Sequence, residues 1–250
     1  MKVYLYRIFA LAAFGCLFLT SAADAQKTKK VEKKSSSQTN TKTEQKTETK
    51  SSVGTTPTQT VRKSLLSELE LAVVDEINQA RNDPQKFVGY LEEYKKAMKG
   101  NVLAMPGKTG IVMIEGAAAI DDAINDLKKM SKFESLTVSD GLFRAADLQL
   151  TDLKEDSTLS HRGKNGSDLE QRLFKFGFPG TGMAENISYR VDAAREVVMT
   201  MILDDGLKSR SHRKNIFSQK FKQIGVACGV SNKKEALCVA VFADGFKDKS

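Results

Sequence analysis

The chain has 250 residues, 28% of them charged and 40% hydrophobic, with no tryptophan. Beyond the first 25 residues no stretch is apolar enough to cross a bilayer, which excludes a helical membrane protein. The net charge of +8 would point to a nucleic-acid partner, but ten basic and three acidic residues in 26–63 account for +7, residues 1–25 supply +1, and residues 64–250 are neutral; a neutral domain has no basic footprint, so no nucleic acid is expected.

Residues 1–25 open with Lys2 and Arg7, continue with the apolar run "IFALAAFGCLFL" and end in "ADA". A short basic start, a short apolar core and an A-x-A site describe a secretory signal peptide cut after Ala25. Cys16 lies in a poor context for lipid attachment, and the sequence leaves open a lipoprotein or a free secreted form. Residues 26–63 are almost all Lys, Thr, Ser, Gln and Glu, with three valines as their only apolar content. Such a segment cannot bury enough surface to offset its ordering entropy and reads as a disordered linker. Its charge suits a polyanion, although a plain spacer is the simpler reading.

Residues 64–250 form the expected domain. "SLLSELELAVVDEINQARND" (64–83) reads as a helix, with a capping box at Ser67 and Glu70. Leu69, Val73, Ile77 and Ala80 recur at helical spacing. Asp83 and Pro84 cap and start a second helix whose apolar face is Phe87, Val88, Leu91 and Met98, closed by Gly100. Residues 101–113, with Pro106, Gly107 and Gly110, read as loop, in part extended. Helices follow over 115–133, over 139–156 (capped by Ser139 or Asp140), and over 167–177 (opened by Ser167 or Asp168). "MAENISYR" (183–190) reads as a strand, and residues 192–206 as a helix closed by Gly206. Two strands end the domain, "FKQIGVACGV" and "ALCVAVFAD", joined by the turn "SNKKE". Cys228 and Cys238 fall opposite each other there; an even pair in a secreted chain reads as one disulfide. Helices lead and strands come late, so the fold class is α+β or a layered α-β-α domain.

The chain has two histidines, His161 in "LSHRGKNGSD" and His212 in "SHRKNIF". Both are in polar loops rather than in apolar runs. No H-E-x-x-H, paired C-x-x-C, G-x-S-x-G or phosphate-binding glycine loop is present. By default Arg213 and Asn215 hold their loop through backbone hydrogen bonds, and Ile216, Phe217 and Phe221 anchor it in the core. Asn165 and Asn186 each begin an N-x-S sequon.

The ordered run "LSHRGKNGSDLEQRLFKFG", "GMAENISY", "VVMTMILDDG", "SHRKNIFSQKFKQIGVACG" resembles the CAP superfamily, the cysteine-rich secretory, antigen 5 and pathogenesis-related proteins. The resemblance covers roughly residues 65–245. It implies a three-layer α-β-α sandwich with a cleft holding two histidines and two acids. Carried over by position, these are His161, Glu185, Asp204 and His212. Asp205 is the alternative second acid. Ala184 stands where the family has glycine, and Met201 where it often has tryptophan. Imidazole nitrogens and carboxylate oxygens suit a divalent metal such as Zn²⁺. The same four can instead form a metal-free hydrogen-bonded cluster, each acid orienting a histidine. The resemblance therefore implies a secreted binding module, with a small lipid or sterol-like ligand near the cleft. A metal-dependent hydrolase or peptidase, or a surface protein with an idle cleft, are the alternatives.

Overall fold

The computed structural model describes residues 66–155, 159–190, 192–233 and 235–249. The expected signal peptide and the expected linker lie outside them. In the order of the chain the elements are α1 (Glu68–Asn82), α2 (Pro84–Lys96), β1 (Met98–Lys99), β2 (Val102–Leu103), β3 (Ile111–Val112), α3 (Ala117–Leu127), β4 (Thr137–Val138) and α4 (Asp140–Glu155). Then come α5 (Leu169–Phe176), β5 (Gly177–Pro179), β6 (Met183–Tyr189), α6 (Ala194–Leu203), α7 (Ser211–Ile216), β7 (Gln223–Val230), β8 (Ala236–Ala243) and β9 (Phe246–Asp248).

The central sheet has the order β4–β7–β8–β6, with β4 parallel to β7 and the other pairs antiparallel. Its middle strand β8 is buried on both faces, and its side chains divide by the two-residue alternation of a strand. Cys238, Ala240 and Phe242 join a core shared with α1, α2, α3 and α6. Leu237, Val239, Val241 and Ala243 join a second core with α4 and α5. A sheet with a helical layer on each face is the three-layer α-β-α sandwich expected from the sequence.

Local chemistry explains the helix ends. Ser67 and Glu70 form the expected capping box. The second oxygen of Glu70 accepts from the Cys228 N–H at 2.8 Å, tying the start of α1 to β7 where β4 has ended. Asp83 caps α2 ahead of Pro84. Asp168, not Ser167, opens α5, through a capping box with Gln171. Cys228 and Cys238 are register partners with Cα atoms 4.1 Å apart and form the disulfide.

The structure departs from the sequence reading in four places. The second helix ends at Lys96, so Met98 leaves its apolar face and starts a strand. Residues 98–112 carry a small three-stranded sheet, which goes further than the partly extended loop expected from residue 101 onward. Short strands β4, β5 and β9 were not expected; at two or three residues they carry no period to read. Finally, His212 lies in the first turn of α7, a six-residue helix, and not in a loop.

The face of β7 toward α4 is Gly225, Ala227, Gly229. A Cβ at Gly225 would stand 2.1 Å from the Phe143 N and 2.2 Å from the Leu142 carbonyl carbon. The backbone of α4 therefore rests directly on β7, and this seating places the His161 segment that follows α4. Gly225→Ala would force helix and sheet apart. It should cost about 3 kcal/mol or more in urea unfolding, the upper range for overpacking because backbone atoms are the obstacle. A loss below about 1 kcal/mol would show that α4 is not seated this tightly.

Candidate functional site

The four residues singled out in the sequence form two histidine–carboxylate pairs. Glu185 and Asn186 are neighbours on β6, an edge strand, and so point to opposite faces. Glu185 faces α5. Its Oε1 is 2.9 Å from Nδ1 of His161, and its Oε2 accepts from the Arg172 guanidinium at 2.6 Å. Arg172 is fully buried and also donates to the carbonyls of His161 and Ser167. The Gln149 amide donates to the Ser160 carbonyl at 2.6 Å and fixes the loop just before the histidine. The His161 side chain itself is 60% exposed.

Asn186 faces α7. Its amide donates to the His212 carbonyl at 3.0 Å, and its Oδ1 accepts from Asn215 at 2.8 Å. Asn186 is completely buried, so its sequon cannot present it to a glycosylating enzyme. The partner of Asn215 is thus a side chain rather than backbone. Arg213 likewise pairs through its side chain, with Asp122 and Asp126. Ile216, Phe217 and Phe221 are buried in the core as expected.

Asp204 ends α6 in the left-handed region, at φ 52°. That conformation is accessible to a short polar side chain and turns its carboxylate back toward α7. Oδ2 accepts from the backbone N–H groups of His212 and Arg213 at 2.8 and 3.2 Å. Oδ1 stands 2.7 Å from Nδ1 of His212. That contact pairs the carboxylate with the imidazole, as an ion pair when the ring is protonated. Asp205 turns the other way and accepts from the N–H groups of Ile114 and Glu115 at 2.5 and 2.8 Å. Between the two candidates, Asp204 is therefore the partner of His212.

A clamp holds this segment. Arg210, itself left-handed at φ 50°, donates to Glu115, Asp122 and the Asp204 carbonyl. Hydrogen bonds from Arg210 and then from the Gly206 N–H hold the Glu115 carboxyl down at about 2. Arg172 and Arg210 escape a sequence reading because an isolated arginine in a polar stretch looks like a solvated one.

Asp204 and His212 line a groove of about 1050 Å³ with Ile111 and Val112 of β3, Met201 and Leu203 of α6, Leu207 and Val230. Tyr94 of α2 also lines it; burial, reinforced by Glu196, pushes its phenol up to about 12, so it stays neutral. His161 and Glu185 are not part of this lining.

As a four-donor zinc cage the set does not fit. Both Glu185 oxygens are committed, to His161 and Arg172. Among the described residues no three His, Cys, Asp or Glu side chains are grouped to hold a metal. The arrangement can orient imidazoles with carboxylates and can present polar groups at the wall of an apolar groove.

Residues 122–242 match the model of the cysteine-rich secretory protein family, CAP. No curated protein matches the chain. Similar solved structures include an outer surface protein from Borrelia burgdorferi, at 17% identity and a TM-score of 0.37, covering 68% of this chain and 96% of that one. An extracellular protein containing an SCP domain from Bacillus anthracis is 18% identical with a TM-score of 0.36, covering 51% of this chain and 38% of that one. A cysteine-rich secretory protein from Staphylococcus aureus is 14% identical with a TM-score of 0.34, covering 64% and 48%. The chain thus spans less than half the length of the last two.

Side-chain exposure ranks the residues of the first pair. The Arg172 and Glu185 side chains are 0% and 3% exposed. Arg172→Ala would leave a buried carboxylate without its cation and should cost about 3–5 kcal/mol in urea unfolding. His161→Ala removes a mostly exposed partner and should cost less than about 1 kcal/mol. Equal losses would contradict this ranking.

Proposed function

We propose that this chain, whose residues 122–242 match the model of the cysteine-rich secretory protein (CAP) family, is an exported binding module whose groove takes the hydrocarbon part of a small lipid or sterol-like ligand. One observation carries the reading. Large hydrophobic side chains are normally scattered singly over a surface. Here Ile111, Val112, Leu207 and Val230 are 46%, 75%, 38% and 60% exposed and line the same groove. Ile114, 77% exposed, packs beside it against Gly206. The volume is at the upper end of small-molecule sites, and the lining mixes aliphatic walls with a few polar groups, as such sites do.

Export agrees with the basic-then-apolar start of the sequence and with the disulfide, which persists in oxidising compartments. Among the described residues no helix is long and apolar enough to cross a membrane. On this reading the His161–Glu185 pair and its buried arginine are scaffold, and the polar contribution to the groove comes from Asp204, His212 and their neighbours. No chemical step is assigned to the site.

An alkyl chain entering the groove gains about 0.8 kcal/mol per buried methylene. Affinity measured by calorimetry on a series of n-alcohols should rise about three- to fourfold per added carbon until the groove is filled. Val112→Asp, at a position too exposed to matter for folding, should weaken binding at least tenfold and leave the unfolding midpoint unchanged. Affinity indifferent to chain length, or a Val112→Asp protein that binds as before, would remove the groove from the account.

A further inference from the structure

A second cavity, of about 290 Å³, shares no lining residue with the groove. It is bounded by Arg81 of α1, by Lys132, Phe133 and Glu134 between α3 and β4, and by Gln219 and Lys222 between α7 and β7. Both connecting segments are tied to α1. The Asn78 side chain bonds the N–H and the carbonyl of Leu136, and the Phe133 N–H donates to the Arg81 carbonyl at 2.8 Å. The Arg81 guanidinium donates to the carbonyls of Glu134, Ile216 and Ser218 at 2.8, 2.6 and 2.9 Å. The walls are thus fixed before any ligand arrives.

Arg81 is 1% exposed, yet among the described residues no carboxylate stands at ion-pair distance from it. Burial lowers the pKa of its guanidinium, and the Glu134 charge acts against that from beyond contact. Carbonyl dipoles solvate a buried cation but do not neutralise it. Nε and Nη1 make the three bonds to carbonyls. Nη2 makes no hydrogen bond and is not sealed in the core, so it is the donor that Arg81 presents to the cavity. Lys222 Nζ lies 3.0 Å from the Glu134 carboxylate, whereas Lys132 makes no ion pair among the described residues.

The lining therefore carries three cations against one carboxylate, all of them types that are charged at neutral pH. Arginine and lysine can only donate, so the occupant must accept. A carboxylate ligand would bring one negative charge to a surplus of two. A phosphate group brings about 1.5–2 charges and three strong acceptor oxygens. We propose that this cavity is a phosphate-binding site, in which Arg81 Nη2 and the ammonium groups of Lys132 and Lys222 hold the phosphate of a free ion or a small monoester. The site is independent of the groove and of any ligand there.

The test is calorimetry on the full chain at pH 7.5 and low salt, with inorganic phosphate, phenyl phosphate and acetate as probes. Phosphate should saturate one site with a Kd in the millimolar range or below, and acetate should bind at least tenfold more weakly. Tighter binding of phenyl phosphate would identify a monoester as the source, using the Phe133 wall; equal affinity would identify the free ion. Lys132→Glu, at an exposed position, should weaken phosphate at least tenfold and leave the unfolding midpoint unchanged. Glu134→Gln removes the carboxylate of the lining and should tighten phosphate at least threefold, a gain that a purely structural role for Arg81 does not predict. Lys247→Glu makes the same charge change on β9, outside the lining, and should alter affinity by less than twofold. Phosphate that does not saturate, acetate that binds as tightly, or an affinity that Lys132→Glu and Lys247→Glu lower alike overturns the proposal.

Discussion

Neighbouring side chains of a β-strand point to opposite faces, and on β6 that constraint divides the candidate site. Glu185 goes to the layer of α4 and α5, where Arg172 and His161 meet it. Asn186 goes to the layer of α6 and α7, where it holds the carbonyl of His212. Because β6 is an edge strand, segments from both layers can reach it. The result is two units, each with its own histidine, its own carboxylate and its own scaffold. Only the second opens onto the apolar groove.

In both units the fixed group lies beneath the histidine. Arg172 and Glu185 are a buried ion pair, and one guanidinium nitrogen of Arg172 also donates to the carbonyls of His161 and Ser167, while its Nε has no partner. Each satisfies the other's desolvation, and the exposed imidazole rests on a platform that is costly to disturb. In the second unit the platform is backbone geometry. Asp204 takes a left-handed turn, Arg210 takes another, and the ion pairs of Arg210 with Glu115 and Asp122 hold the two turns together. The carboxylate that results is held by two backbone N–H groups on one oxygen and faces the His212 ring with the other.

What could be read from the sequence follows from which signals are local. The capping box at Ser67 is legible because its bonds are made within four residues, whereas the start of α5 was readable only as Ser167 or Asp168. The disulfide is legible because its two cysteines sit on strands joined by a short turn. The layered fold follows from long helices with clear apolar faces and a late apolar hairpin. Strands of two or three residues have no period to detect, and α7, at six residues, is too short for a helical pattern to stand out from a polar loop. Choosing between Asp204 and Asp205 requires the turn itself, since both are aspartates one bond apart and only the left-handed cap aims one of them at His212. Arg172 was hidden for a different reason: its charge reads as solvated until the buried Glu185 is seen beside it.

The central claim is that the two histidines belong to separate units, one structural and one facing a ligand groove. The chain has only two histidines, so their imidazole signals can be followed individually by NMR at a single pH. Glu185→Gln should shift the signals of His161 and leave those of His212 in place, and Asp204→Asn should do the reverse; adding an alkyl ligand should move His212 alone. If either substitution, or the ligand, shifts both histidines together, the four side chains act as one centre and the division by β6 is wrong.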